Sequence, residues 1–279
     1  MNLSQEEIVK KYPHQPLKGQ SALVTGANSG IGEAVARHMS AAGAFVGLNY
    51  LFEQEKAENI LHEIEQFGGK AITVYGDVTL EHQVQAMFQK VITAFGRVDI
   101  LVNNAGIQSD APSEEMTLQE WEDVLKVNLT GQFLCAKEAV KFFKKKGVIP
   151  EISKAAGKII HISSVHQEIP WSGHINYAAS KGGIRQMMRT FAQEEGPCKI
   201  RVNSIAPGAI QTPINQKIWE DPEGLRKLLR MIPAQRMGTS DEVAQASVWL
   251  ASDESDYVLG VTLVVDGGIS LHNHFSKGG

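Results

Sequence analysis

A chain of 279 residues, 43% hydrophobic and 21% charged, can bury a large core without disulfide or metal staples. That composition excludes a disordered chain, collagen and coiled coil. With 27 basic and 31 acidic residues the net charge is −4, so no global attraction to nucleic acid or an anionic membrane is expected. Cys135 and Cys198 are too few and too isolated for a disulfide framework or a CxxC metal site, which fits a reducing compartment. The opening residues MNLSQEEIVKKYPHQPLKG hold no apolar signal segment, and no apolar run is long enough to span a bilayer. A soluble, cytoplasmic protein is therefore expected.

Residues 1–19 read as a polar N-terminal extension, either tethered or frayed. Beyond them short β-branched runs alternate with amphipathic stretches. A strand over Ala22–Thr25 precedes a helix over Gly32–Ala42, and a strand over Ala44–Leu48 precedes a helix over Gln54–Phe67. The rhythm continues with strand Ala71–Tyr75 and helix Glu81–Phe95, then strand Ile100–Asn103 and one long helix over Leu118–Phe143. Strand Lys158–Ile162 and helix Ser180–Glu195 follow, with strands Arg201–Ile205 and Val261–Val265 closing the series. The strand runs are continuously apolar rather than alternating, as strands covered on both faces require. The fold class is thus α/β, a doubly wound parallel sheet of about seven strands with helices on both faces. No linker divides residues 20–279, so they read as one domain. Residues 209–238, which hold three prolines and a short helical segment, interrupt the rhythm where a substrate lid would lie.

The first strand runs into Gly26, Ala27, Asn28, Ser29, Gly30, Ile31 and Gly32. Glycines at such a strand-to-helix turn let the backbone approach a pyrophosphate, and the free N–H groups of the helix favour the anion. This is a candidate dinucleotide cradle. The second strand ends at Asn49, Tyr50 and Leu51, where the adenosine ribose would lie. Neither an acidic residue nor an arginine stands there, and the missing cation tilts the reading from NADP toward NAD. Asn49 is a candidate ribose contact, while Asp77 and Val78, after the third strand, are candidates for the adenine.

Tyr177 and Lys181 are four apart in a helical segment and share a face. Ser164 ends an apolar strand at the carboxyl edge, where open sheets bind ligands. Hydride loss from an alcohol must be matched by loss of the hydroxyl proton, for which a phenol of pKa near 10 is a poor base. A neighbouring ammonium favours the phenolate, and a serine hydroxyl can hydrogen-bond the reacting oxygen.

TGANSGIG, NNAG at Asn103 to Gly106, Asn128 in WEDVLKVNLTG, Ser164, YAASK and the pair Pro207, Gly208 occur in one order. The chain resembles the short-chain dehydrogenase/reductase family from about residue 19 to Gly268. The resemblance implies a single-domain Rossmann fold, NAD or NADP as cofactor, and a small alcohol or carbonyl substrate. It also implies that Tyr177 is the acid/base, Ser164 orients substrate, Lys181 binds the nicotinamide ribose, and Asn128 positions a water near Lys181. Asn104, Ala105 and Gly106 would lie beside the cofactor; Pro207, Gly208, Ile210 and Thr212 would face the nicotinamide. A homotetramer built through the two long helices and the last strand is implied as well.

Within that family SSVHQEIPW, PGAIQTPIN and GVTLVVDGG look most like bacterial glucose 1-dehydrogenases, which implies an aldose. His166, Asn176 and Gln108 are the candidate sugar contacts. The runner-up is a 3-oxoacyl-carrier-protein reductase, which calls for a cationic patch; a noncatalytic dinucleotide-binding scaffold is the reading from another class. KFFKKK, Lys141 to Lys146, reads as a solvated helix end, and Cys135 as a core residue. His272 and His274 lack a third ligand, so no metal is expected.

Overall fold

The computed structural model describes residues 2–271. The chain runs α1 (Gln5–Lys10), β1 (Ser21–Val24), α2 (Gly30–Ala41), β2 (Phe45–Tyr50), α3 (Gln54–Gln66), β3 (Lys70–Tyr75), α4 (Glu81–Phe95) and β4 (Ile100–Asn103). It continues through α5 (Leu118–Leu125), α6 (Gln132–Lys146), β5 (Gly157–Ile162), α7 (Ile175–Glu195), β6 (Ile200–Pro207), α8 (Gln216–Glu220), α9 (Pro222–Met231), α10 (Ser240–Ala251) and β7 (Thr262–Val265). The strands form one parallel sheet of seven in the order β3-β2-β1-β4-β5-β6-β7. The continuously apolar strands are sheathed on both faces. One core cluster joins the sheet to α2 and α10 through Val35, Met39, Val243 and Val248, and the other joins it to α4, α6 and α7 through Phe88, Phe143 and Met188. Because the strand order reverses between β1 and β4, the crossovers diverge there and leave a crevice at the carboxyl ends. This is the doubly wound arrangement expected from the sequence.

Two helices depart from that expectation. The single helix read over Leu118–Phe143 is broken by a wider π-helical turn, Lys126–Gly131, between α5 and α6. Gly131 sits where a Cβ would come 2.8 Å from Val78, so close packing is met by a residue without a side chain. α7 begins at Ile175 rather than Ser180. Buried Asn176 secures its first turn: its Oδ1 accepts from the Tyr177 N–H at 2.7 Å, and its Nδ2 donates to the carbonyls of Ser109 and Glu120.

The N-terminal extension is packed down, not frayed. Ser4 caps α1 in a reciprocal pair with Glu7, and Ile8 and Leu17 are fully buried. The Tyr12 hydroxyl meets His38 Nδ1 at 2.8 Å, His38 Nε2 meets Asp241 Oδ1 at 3.0 Å, and the Leu3 N–H donates to Asp241 Oδ2 at 2.7 Å. This chain of bonds ties the extension to α2 and α10 at once.

At the opposite, amino edge of the sheet Lys158 is buried, its ammonium donating to Gln20 Oε1 at 2.7 Å and to Ser153 Oγ, with Asp253 3.8 Å away. Burial lowers its pKa from 10.5 to about 8, against the opposing pull of Asp253. Below pH 8 both folded and unfolded chains carry this proton and the fold bears the desolvation cost. Between about pH 8 and 10.5 the unfolded chain keeps a proton that the folded chain has released, so the group's contribution to stability rises with pH. Thermal melts of wild type and Lys158→Met should therefore show the variant's relative stability falling as pH rises from 8 to 10. A gap independent of pH contradicts the assignment.

Candidate active site

The glycine turn leaves β1 and enters α2 with Gly26 and Gly30 both at positive φ, 60° and 56°. A Cβ on Gly26 would lie 3.1 Å from the Ala105 Cα, and one on Gly32 would strike the Gly26 carbonyl oxygen. Only glycine fits this fold of the chain. Ser29 is the N-cap of α2, yet its side chain makes no capping bond. The first-turn N–H groups thus remain for an anion, as a pyrophosphate cradle needs, so the residues present fit a dinucleotide. The turn is braced from outside. Thr25 Oγ1 accepts from the N–H groups of Asn104 (2.9 Å) and Ala105 (3.0 Å), and Asn104 Nδ2 donates to the carbonyls of Thr25 and Gly26.

Three of the sequence-predicted catalytic groups meet at the carboxyl edge. Ser164, 6% exposed, follows β5; its Oγ accepts from the His166 N–H at 3.2 Å. Tyr177 lies in the first turn of α7, with the Ser164 and Gln108 side chains placed to oppose the rise in its pKa. Lys181, 4% exposed, donates from Nζ to the Ile162 carbonyl at 3.0 Å and stands 5.3 Å from the Tyr177 ring centre. Burial pushes the Tyr177 phenol up, against the hydrogen bonds from Ser164 and Gln108, and pushes Lys181 down to about 8. In the free protein burial thus outweighs the ammonium's pull expected from spacing. Both groups are held toward neutrality.

Several asparagines read as site residues prove to be braces. Asn128 is fully buried in the π-helical turn; its Oδ1 accepts from the Ile107 N–H at 2.8 Å, and its Nδ2 donates to the Ile107 carbonyl and to Ser180 Oγ. The side chain is engaged, so a water would have to be met by the main-chain carbonyl, where the π turn interrupts the i−4 ladder. The Asn49 side chain is turned to the backbone: its Oδ1 accepts from the Gly26 N–H at 3.1 Å, and its Nδ2 donates to the carbonyls of Val74 and Gly76. Asn176 is 0% exposed with every polar atom paired, so it is no sugar contact.

The other candidates ring the crevice. Asn28 Nδ2 donates to the Phe52 carbonyl at 2.9 Å, fixing the glycine turn to the end of β2, where Leu51 and an exposed Phe52 stand in place of a cation. Asp77 closes a tight turn onto the Thr79 N–H at 2.8 Å, beside buried Val78. A Cβ on Gly106 would meet Asn128 Oδ1 at 3.2 Å. Pro207 ends β6, Gly208 lies against Asp266, and Ile210 bridges in parallel to Gly238, with Thr212 accepting at its carbonyl from Trp219 Nε1 at 3.3 Å.

Sequence reasoning missed a ring stack beside Tyr177. Trp171 stacks on His174 with ring centres 3.5 Å apart and on His166 at 4.2 Å, and Tyr177 stands edge-on to Trp171 at 6.1 Å. Trp171 and His174, three apart just ahead of the tyrosine, were the available signal. His272 and His274 lie outside the described residues.

The family model described as enoyl-(acyl carrier protein) reductase matches residues 26–270. The chain belongs to the short-chain dehydrogenase/reductase family. A 3beta-hydroxysteroid dehydrogenase 1 of Eggerthella lenta is 43% identical over 265 residues, 95% of this chain and 99% of the relative. Glucose 1-dehydrogenase 2 of Bacillus subtilis is 40% identical over 260 residues, 93% of this chain and 98% of the relative. Among solved structures, a gluconate 5-dehydrogenase from Burkholderia cenocepacia in complex with NADP and tartrate superposes with a TM-score of 0.85 at 35% identity, covering 92% of this chain and 97% of that one. This short-chain dehydrogenase/reductase is accordingly an oxidoreductase acting on CH–OH groups.

A Gly32→Ala variant should keep the fold and lose most dinucleotide affinity, because the added methyl displaces the Gly26 carbonyl and with it the cradle. Fluorescence titration with NAD and NADP checks this; unchanged binding of both contradicts it.

Proposed function

We propose that the protein oxidises a ring secondary alcohol or hemiacetal, an aldose such as glucose foremost, with NAD as acceptor. The observation that carries this reading is the convergence of Ser164, Tyr177 and Lys181 at the carboxyl edge, beside a glycine turn shaped for a pyrophosphate. When bound, the nicotinamide supplies the hydride acceptor. Tyr177 takes the hydroxyl proton, Ser164 holds the reacting oxygen, and Lys181 keeps a positive charge one helical turn from the phenol. Asn128 acts through its main chain, holding a water on the path by which the proton leaves. Gly26, Asn28, Ser29, Gly30, Ile31 and Gly32 would cradle the pyrophosphate, with Asp77 and Val78 at the adenine and Asn104, Ala105, Gly106, Pro207, Gly208, Ile210 and Thr212 along the nicotinamide half.

NAD is preferred here because Leu51 and Phe52 offer a 2′-phosphate no cation, and neighbouring Lys56 is paired with Glu53 at 2.7 Å. Residues 209–238, carrying α8 and α9, serve as the substrate lid. A homotetramer is supported by the exposed Phe133 on α6 and Val264 on the edge strand β7, and a cytoplasmic site by the cysteine usage. The carrier-protein reading gains little from KFFKKK, since Lys141, Lys144 and Lys146 are paired with Glu138, Glu195 and Asp99. A hydroxysteroid is the second reading, favoured by apolar Ile107, Ile214 and Met231 standing exposed on segments that leave the carboxyl edge.

Steady-state kinetics with glucose and a panel of cyclic alcohols, using NAD and NADP in turn, test the proposal. Tyr177→Phe should lower kcat by about 10²-fold or more while leaving NAD affinity near wild type. Near-normal turnover in that variant refutes the assigned base.

A further inference from the structure

Beneath the site a buried polar chain leads from Lys181 back into the sheet. The Ile162 carbonyl, which accepts from Lys181 Nζ at 3.0 Å, also accepts from Gln132 Nε2 at 3.4 Å. At the other end of that amide, Gln132 Oε1 lies 2.8 Å from His161 Nδ1. Gln132 opens α6 just beyond the π-helical turn, and its main-chain carbonyl accepts from Asn103 Nδ2 at 3.0 Å. Asn103 and His161 are paired in register on β4 and β5. Asn103, Gln132, His161 and Lys181 are all at most 4% exposed.

Hydrogen-bond chemistry fixes the orientations along this chain. A carbonyl only accepts, so the Gln132 atom facing Ile162 is the amide nitrogen and the one facing His161 is the oxygen. That oxygen also only accepts, so His161 carries its hydrogen on Nδ1. Asn103 Nδ2, 3.4 Å from the same Nδ1, is then a second donor in contact with it and not a bond. His161 Nε2 meets no protein partner among the described residues, which leaves Nδ1 as the ring atom that the protein engages. Burial foremost, and then the Lys181 charge, lowers the His161 pKa to about 3. The ring therefore stays neutral at working pH and its Nδ1–H stays in place. An apolar side chain at position 161 would spare the fold an unpaired buried nitrogen. That cost is borne next to the ammonium on which the chemistry depends.

We infer that Gln132 and His161 are positioning residues for the reaction: His161 orients the Gln132 amide, the amide holds the Ile162 carbonyl, and the carbonyl holds the Lys181 ammonium beside Tyr177. Tyr177 on the same helix and His161 on β5 are the titratable groups seen to face Lys181. The π-helical turn and α6 present the uncharged Asn128 and Gln132. This goes beyond the roles assigned to Ser164, Tyr177 and Lys181 and rests on them.

The test follows kcat/KM of the full chain against pH at saturating NAD, with glucose, cyclohexanol and a 3β-hydroxysteroid as probes. In Gln132→Met and His161→Phe the Ile162 carbonyl loses its brace and the ammonium its fixed acceptor. The alkaline limb should then move down by about half a pH unit or more, and the plateau fall by about tenfold. An asparagine amide reaches about where Nδ1 lies, so His161→Asn keeps a donor to Gln132 and should return both toward wild type. Because the two residues act in series, the double variant Gln132→Met with His161→Phe should shift the limb no further than Gln132→Met alone. A mere loss of folded protein lowers the whole profile and leaves its limbs in place. Limbs unmoved in both single variants, equal shifts in His161→Phe and His161→Asn, or additive shifts in the double variant overturn the inference and leave the dehydrogenase reading standing. No turnover of any probe by wild type with NAD or NADP overturns both.

Discussion

An ammonium buried one helical turn from a buried phenol is a costly arrangement, since each group resists ionisation in a low dielectric. Lys181 donates to the Ile162 carbonyl, and Ser164 and Gln108 act against the rise that burial imposes on Tyr177. The surrounding fold exists in large part to hold that pair. β5 delivers Ile162 and Ser164, the first turns of α7 deliver Tyr177 and Lys181, and the reversal of strand order between β1 and β4 opens the crevice that both face. Left alone, the phenol keeps its proton, and burial lowers the Lys181 pKa to about 8 without discharging it at neutral pH. A cation brought into the crevice, as the oxidised dinucleotide would bring one, favours the phenolate and makes base chemistry available when substrate and cofactor are together.

The loops that line the crevice are irregular, and polar side chains carry their backbone groups. Thr25 and Asn104 clasp the loop after β4 to the glycine turn, Asn49 supports that turn through the Gly26 N–H, and Asn128 joins the same loop to α7. Asn176 starts α7 by tying it to Ser109 and Glu120. These bonds give the site its rigidity: moving Tyr177 would break contacts to three other segments. The N-terminal extension adds a similar clasp on the far side of α2 through Tyr12, His38 and Asp241.

What could be read from the sequence follows from the range of the interaction involved. Strands such as Ile100–Asn103 and Lys158–Ile162 announce themselves because a strand covered on both faces must be apolar throughout, and Tyr177 and Lys181 because helical spacing is local. The partners of Asn49, Asn128 and Asn176 are backbone groups some twenty to seventy residues away in the chain, and no spacing rule reports those. The same distance hides the docking of Tyr12 onto His38 and Asp241. The π-helical turn at Lys126–Gly131 was invisible for another reason, since its residues keep helical character and only the hydrogen-bond register changes. The stack of His166, Trp171 and His174 lay within reach of the sequence, but single rings in a loop read as isolated until the turn brings their planes together.

Base chemistry here depends on the protonation state that burial imposes on Tyr177, and a direct titration addresses it. Phenolate absorbance of wild type minus Tyr177→Phe, followed against pH, isolates that one hydroxyl. Ionisation should lie above the ordinary phenol value of about 10 in the free protein and shift downward when NAD is bound. Ionisation at or below the ordinary value in the free protein, unmoved by NAD, would contradict it.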